Sequence, residues 1–415
     1  MDYHLQPINK SLPSYVQDTT DLLKKLENVP DDPREETILV TMDVRSLYTN
    51  IPNEEGIEAI KSYFQARASP GDRILSKVIC TFLRLILMLN NFVFNGTNYI
   101  QINGASMGTK CAPTYASLFM GRFEQQKILP RIRDKLLLYV RYIDDLFFIW
   151  KGSEEDLLKF LKEVNTLHPS IKFDYEYSRE KVNFLDTTIS VIGNKFSTTL
   201  YTKPTDRKSY LHSKSYHPQS TKKSIAFSQA ARLKRICTEE RDFQQHAEKL
   251  KLDLINRGYR PSTISEGIER AANLERRTLL TYKERNNEER TPLIVTYNRD
   301  LPNLKEKLDE TWPLLQINPT KKQKFTAKPI VCYRRNKNLR DIIGQTKIVN
   351  NRVARKRTIL RGRCAPCRSR PDAKCCNHIL TTDYFTDQTC EKRFYIRHKV
   401  GCKTKNAIYL GFCIK

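Results

Sequence analysis

The sequence predicts an α+β fold: an antiparallel sheet with helices packed on it, then an α-helical segment and a small Cys-containing region. Three observations predict it. Thr37-Ile38-Leu39-Val40-Thr41-Met42-Asp43-Val44 is an apolar run of strand length that ends in one aspartate. Residues 136–140 and 146–150 form two more apolar runs around the turn Tyr142-Ile143-Asp144-Asp145. From residue 219 to 285 the pattern becomes helical and charged, with Lys222, Lys223, Arg232, Lys234 and Arg235 set among Ile225, Phe227, Ala231, Leu233 and Ile236.

In chain order, residues 46–52 turn the first strand into a helix, for which Asn53 is the expected N-cap and Glu54 and Glu55 the acidic first turn. A helix is expected near 73–89, a hairpin around Asn95-Gly96, and a helix starting at Pro113. Residues 104–117 are rich in small side chains that let backbone approach a ligand closely. Ser153 with Asp156 three residues on is a helix-capping pair. Beyond Pro292 a short strand, a helix near 301–315 containing Trp312, and a Pro-punctuated stretch suggest a linker.

Two adjacent carboxylates at a turn between buried strands cost free energy unless a cation compensates them. A divalent metal would do so, since Mg²⁺ takes hard oxygen ligands and leaves positions for phosphate. A solvated turn is the plain alternative, because Asp is an ordinary turn residue. Asp43 supplies a third carboxylate in a matching setting, so Asp43 and Asp144 can share two metal ions about 3.5–4 Å apart.

Lys and Arg total 72 against 46 for Asp and Glu, a formal net charge of +26, which favours polyanionic partners in a salt-dependent way. Charge alone does not choose between RNA, DNA and an anionic membrane. The longest apolar run, residues 78–89, is short for a membrane span and contains Arg84, so it is expected to be a buried helix, and no membrane partner is predicted. Of 11 cysteines, seven lie from Cys364 onward. Cys364 and Cys367 form a CxxC pair followed by Cys375, Cys376 and His378. Cys364, Cys367, Cys376 and His378 are the favoured Zn²⁺ set, with Cys375, Cys390 and Cys402 as rival ligands. Cys80, Cys111, Cys237 and Cys332 are expected to be core or surface thiols. The run Arg352-Val353-Ala354-Arg355-Lys356-Arg357 suits phosphate contact or a nuclear address.

Four ordered segments carry a family resemblance. Met42-Asp43-Val44-Arg45-Ser46-Leu47-Tyr48, Met107-Gly108-Thr109-Lys110-Cys111-Ala112-Pro113, Tyr142-Ile143-Asp144-Asp145 and Val182-Asn183-Phe184-Leu185-Asp186-Thr187 resemble motifs A, B, C and E of reverse transcriptases, and of those most of all the Penelope-like retroelements. The resemblance implies a right-hand polymerase palm with partial fingers over 1–195, a helical thumb over 196–290, a linker domain over 291–345 and a basic, Cys-rich segment over 346–400. It implies Mg²⁺-dependent extension of a DNA primer on an RNA template from deoxynucleotide triphosphates, in the nucleus. Asp43 and Asp144 would hold metal and Asp145 support them. Tyr48 would lie under the nucleotide sugar, Met107 and Gly108 would carry template and nucleotide, and Phe184, Leu185 and Asp186 would grip the primer. Residues 401–415 resemble the start of a GIY-YIG endonuclease, with Tyr409 in its opening pair. The rest of that motif and the finger strands are missing from the sequence, so a fragment is expected that does not cleave DNA by itself. The competing reading is a non-catalytic nucleic-acid-binding relic.

Overall fold

The computed structural model describes residues 1–30, 37–66, 70–193, 195–282, 291–317, 327–339, 341, 382–386 and 393–396. It divides into two compact units, Met1–Asn336 and Lys337–Lys415. In the first unit, helices α1 (Asp2–Lys10) and α2 (Thr19–Glu27) precede strand β1 (Thr37–Val44). Then come α3 (Leu47–Asn50), α4 (Asn53–Gln65), α5 (Pro70–Met88), the hairpin β2 (Asn91–Phe94) and β3 (Thr97–Ile100), and α6 (Ala112–Phe123). A π-helical turn, Glu124–Ile128, runs from α6 into α7 (Leu129–Ile132). The hairpin β4 (Leu136–Tyr142) and β5 (Asp145–Lys151) follows, then α8 (Glu154–Val164), β6 (Phe173–Ser178), β7 (Lys181–Phe184), β8 (Thr187–Ile192) and β9 (Lys195–Leu200).

The main sheet has the order β4-β5-β1-β6, with antiparallel pairing throughout. β1 lies between two neighbours and is covered on both faces, which is why its sequence is nearly all apolar. Ile38, Val40, Met42 and Val44 enter one core with α1, α4, α5, α6 and α8. Leu39 enters a second core with Val140, Phe147 and Ile149, closed by Leu22 and Leu26 of α2 and by Val182, Phe184 and Ile189 of the three-stranded sheet β7-β8-β9. Alternation then puts Asp43 on the face of Leu39, and Asp145 on the face of Phe147 and Ile149. Both aspartates share one face at one end of the sheet.

Two expectations need correction. Asn53 is the first residue of α4 and Pro52 holds the capping position, with no side-chain cap bond. The Asn53 side chain instead donates from Nδ2 to the Ile102 carbonyl at 3.2 Å and accepts at Oδ1 from Gly104 N at 3.0 Å. α5 is not wholly buried either. Ile79, Leu83 and Leu87 enter the core, whereas Val78, Phe82, Leu85 and Met88 are exposed.

Beyond the palm-like sheet, α9 (Gln219–Ile236), α10 (Glu240–Asn256), α11 (Pro261–Ala272) and α12 (Arg276–Leu280) build a separate helical core from Ala226, Ala230, Leu233, Phe243, Leu250, Leu254 and Ile264. Gly267 lets α11 approach α9 closely: a Cβ there would lie 2.8 Å from the Ala226 Cβ and from the Phe227 backbone N. Leu23 of α2 packs with Ile236 and Leu280, tying this core to the N-terminal helices. β10 (Pro292–Thr296) and β11 (Ile330–Arg334) pair in parallel, and α13 (Leu304–Ile317) lies between them in sequence. In the second unit, β12 (Tyr384–Thr386) pairs antiparallel with β13 (Arg393–Tyr395). No helix among the described residues is long and apolar enough to cross a membrane.

Candidate active site

The antiparallel register sets Asp43 opposite Asp145 on one side and opposite Asp174 on the other. Asp144 sits at the tip of the β4–β5 turn, and its carbonyl accepts from Val44 N at 3.2 Å, which seats the turn on the end of β1. The Asp43 and Asp145 side chains interact, which lowers the Asp43 carboxyl and raises that of Asp145. Burial, helped by the charges of Asp144 and Asp43, pushes the Asp145 carboxyl up to about 6, and Lys203 pulls it back. Asp43 is raised for the same reasons, burial first and Asp144 next. Asp174 differs. It is exposed and takes a two-pronged contact from Arg45, whose hydrogen bonds hold its carboxyl below the usual range.

Among the described residues, no three His, Cys, Asp or Glu side chains already surround a common metal position. The donor set itself fits a hard cation. Burial first and the charge of Asp144 next destabilise the ionised forms of Asp43 and Asp145, and a divalent ion, which prefers hard oxygen ligands, relieves that cost.

Tyr48 projects from the short α3 and is half-buried, and burial followed by the nearby Asp144 and Tyr142 raises its hydroxyl pKa. Its carbonyl accepts from Ala105 N at 2.7 Å, so the loop that begins the second motif is laced to the first. Gly104, at φ +73°, is required there, because a Cβ would fall 2.3 Å from the Tyr48 carbonyl oxygen. Met107 and Gly108 lie on this loop and are exposed. Phe184 is buried against Phe147, with ring centroids 5.6 Å apart. Leu185 and Asp186 form the β7–β8 turn. Asp186 accepts from Arg232 of α9 at 2.6 Å and from the Thr19 hydroxyl of α2, so this turn links the sheet, the N-terminal helices and the helical core.

A cavity of about 370 Å³ opens beside that turn, lined by Lys203, Lys208, Arg232, His246, Lys249 and Asp253 among others. Its lining is of mixed charge, since Arg232 pairs with Asp186 and Lys208 with Asp253. Cys364, Cys367, Cys376, His378 and Tyr409 lie outside the described residues. Cys111 and Cys237 are buried free thiols, Cys80 is partly buried and Cys332 is exposed, as expected of core and surface cysteines.

Sequence reasoning passed over Arg141 and Glu124. Both are fully buried and paired at 2.7 Å. A charged residue directly after the apolar run 136–140, facing the apolar run 146–150 of the partner strand, was the available signal. The Arg45–Asp174 pair and the clamp made by Asn53 left no comparable mark in the sequence.

Residues 2–196 match the family model for reverse transcriptase (RNA-dependent DNA polymerase), and residues 209–269 match that of the animal helix-turn-helix domain. The second match falls on α9, α10 and α11, whose connections span only residues 237–239 and 257–260. No curated protein matches the chain. Solved structures similar to it include a telomerase from Candida albicans in complex with a TWJ fragment of telomeric RNA, at 9% identity over 65% of this chain and 46% of that one, with a TM-score of 0.46. An apo telomerase from Candida tropicalis matches at 13% identity over 64% and 49%, TM-score 0.41. The chain spans less than half the length of these telomerases. Residues 2–196 are thus similar to the reverse-transcriptase family, and the fold they build is the α+β type of a polymerase palm.

Proposed function

We propose that the chain is an RNA-directed DNA polymerase of Penelope-like type, which extends a DNA primer on an RNA template from deoxynucleotide triphosphates. The observation that supports this reading is the meeting of Asp43, Asp144 and Asp145 at one end of the sheet, with Tyr48 beside Asp144, inside the segment that matches reverse transcriptases. Asp43 and Asp144 would hold two Mg²⁺ ions, with Asp145 behind them; bound there, such ions activate a hydroxyl at neutral pH and neutralise charge on phosphate.

The chain's own groups supply placement. The primer 3′-hydroxyl would attack the nucleotide α-phosphate, a new P–O bond forming as pyrophosphate departs. Tyr48 would lie under the sugar and collide with a 2′-hydroxyl. Met107 and Gly108 would meet template and nucleotide on their exposed loop. Phe184, Leu185 and Asp186 would hold the primer end, and α9–α11 would follow the duplex backbone as a thumb. The same reading gives Cys364, Cys367, Cys376 and His378 to Zn²⁺, Tyr409 to the opening strand of a GIY-YIG endonuclease, and the basic run at 352–357 to nuclear entry.

The test is Mg²⁺-dependent primer extension on an RNA template, with Asp144→Asn as the diagnostic variant. Extension should be abolished while salt-sensitive duplex binding persists, because the change removes a metal ligand and little phosphate-contacting surface. A variant that extends primers at the normal rate would defeat the assignment.

A further inference from the structure

Arg141 is the last buried residue of β4 before the Tyr142-Ile143-Asp144-Asp145 turn. Its guanidinium is enclosed, and its hydrogen bonds reach three separate parts of the fold. Nε donates to Glu124 Oε1 at 2.7 Å, and Nη1 and Nη2 donate to the Ser117 hydroxyl at 3.1 Å and the Ser117 carbonyl at 2.9 Å. The Nη1 group also donates to the carbonyl of Ile143 at 3.0 Å. Glu124 is fixed in turn by the Ser14 hydroxyl at 2.6 Å and the Tyr139 hydroxyl at 3.1 Å. It opens the π-helical turn that follows α6.

The residue at the other end of this chain of bonds is strained. Ile143 has φ +57°, a left-handed conformation that β-branched residues rarely adopt. Such a backbone persists only where its surroundings over-determine it. The Arg141–Ile143 bond is one such constraint, and Asp144 is the next residue along.

We propose that Arg141 is a positioning residue: anchored by Glu124 and Ser117, it holds the Ile143 carbonyl and so fixes where Asp144 stands at the end of β1. Its consequence for primer extension rests on the polymerase reading above, whereas the positional claim stands on the hairpin alone. Lysine in its place keeps one positive charge for Glu124 but cannot span Glu124, Ser117 and Ile143 together, since it lacks the planar fork.

The experiment uses the full chain and reads two signals. The first is amide hydrogen exchange at Val44, whose N–H is bonded to the Asp144 carbonyl, against Ile38 and Val40 deeper in the same strand. Arg141→Lys should speed exchange at Val44 by about tenfold while leaving the deeper amides protected. Adding Ile143→Gly to that variant should restore most of the protection, because glycine takes a positive φ without help. The second is extension, where Arg141→Lys should lower kcat by about a hundredfold with little change in primer KM, and the double variant should recover part of it.

Unchanged exchange at Val44 would overturn the proposal. Uniformly faster exchange along β1 would also overturn it, as the mark of a residue that merely stabilises the palm. Selective loosening that Ile143→Gly fails to repair would overturn the route through the Ile143 backbone. A wild-type chain that does not extend primers would refute the polymerase reading and leave the exchange result to decide this one.

Discussion

Asp145→Asn should make the protein more stable and less able to catalyse. The Asp145 carboxyl stands at about 6 instead of 3.8, lifted by burial and by Asp144 and Asp43. A raised carboxyl means that the folded chain holds more protons than the unfolded chain between those two values. Stability therefore falls as pH rises through about 4 to 6 and is level above, the reverse of an ion-paired aspartate. Roughly two pKa steps at 1.36 kcal/mol each set a ceiling of about 3 kcal/mol. Solvent reaches this face of the sheet, and screening reduces the figure to about 1–2 kcal/mol. Asparagine removes the charge, and its amide can donate to Asp43 the hydrogen bond that a protonated Asp145 makes. In urea unfolding without divalent ions, the variant should gain about 1–2 kcal/mol over the parent at pH 8 and almost nothing at about pH 3, below both pKa values, with the difference cancelling every other titrating group. Extension should fall by at least about a hundredfold. If parent and variant unfold together at both pH values, the carboxylates do not strain one another and the electrostatic account of the site fails.

Three further outcomes follow from the same geometry and assignments. Tyr48→Val should admit ribonucleotides more readily in an extending chain, and unchanged sugar discrimination would reduce Tyr48 to a packing residue. Gly104→Ala forces a Cβ against the Tyr48 carbonyl at a positive φ, and should cost about 2 kcal/mol or more along with extension; a parental Tm would show that the loop has room to move. Purified chain should carry one zinc ion, released by chelation, if Cys364, Cys367, Cys376 and His378 form a site; elemental analysis that finds none would leave them as reduced thiols.

The sheet was legible because burial dictates composition so directly. A strand covered on both faces must be apolar throughout, so β1 and β5 announced themselves, and the aspartates at their ends stood out against that background. What stayed hidden was pairing at a distance. Glu124 and Arg141 are 17 positions apart, and nothing local says that they meet. Asn53 looked like a cap because Asn is a good one, but the Gly104 loop, 51 residues away, claimed its amide, and Pro52 took the cap position. Tertiary hydrogen bonding outweighed a local preference of about 1 kcal/mol. The helix-turn-helix similarity is hidden for another reason: the charge pattern of 219–285 points to a duplex-following face, and only the structure shows how short the connections between its helices are.

Both hairpins of the candidate site break the same local rule. Two-residue hairpin turns favour Asn or Gly where φ is positive, yet here Ile143 and Leu185 occupy those places, each at φ +57°. In each turn an aromatic residue precedes the strained one and an aspartate follows: Tyr142-Ile143-Asp144 and Phe184-Leu185-Asp186. The apolar side chains offset part of the strain. Ile143 packs against the core under the helices and Leu185 against the core on the other face, each adding a buried contact that the turn residues favoured elsewhere do not make. Side-chain bonds complete the restraint, from Arg141 to Ile143 in one turn and from Arg232 and Thr19 to Asp186 in the other. Strain of this kind, at about 1–3 kcal/mol per residue, is costly in a turn that needs only to reverse the chain. It is reasonable in one that must present a carboxylate at a fixed point.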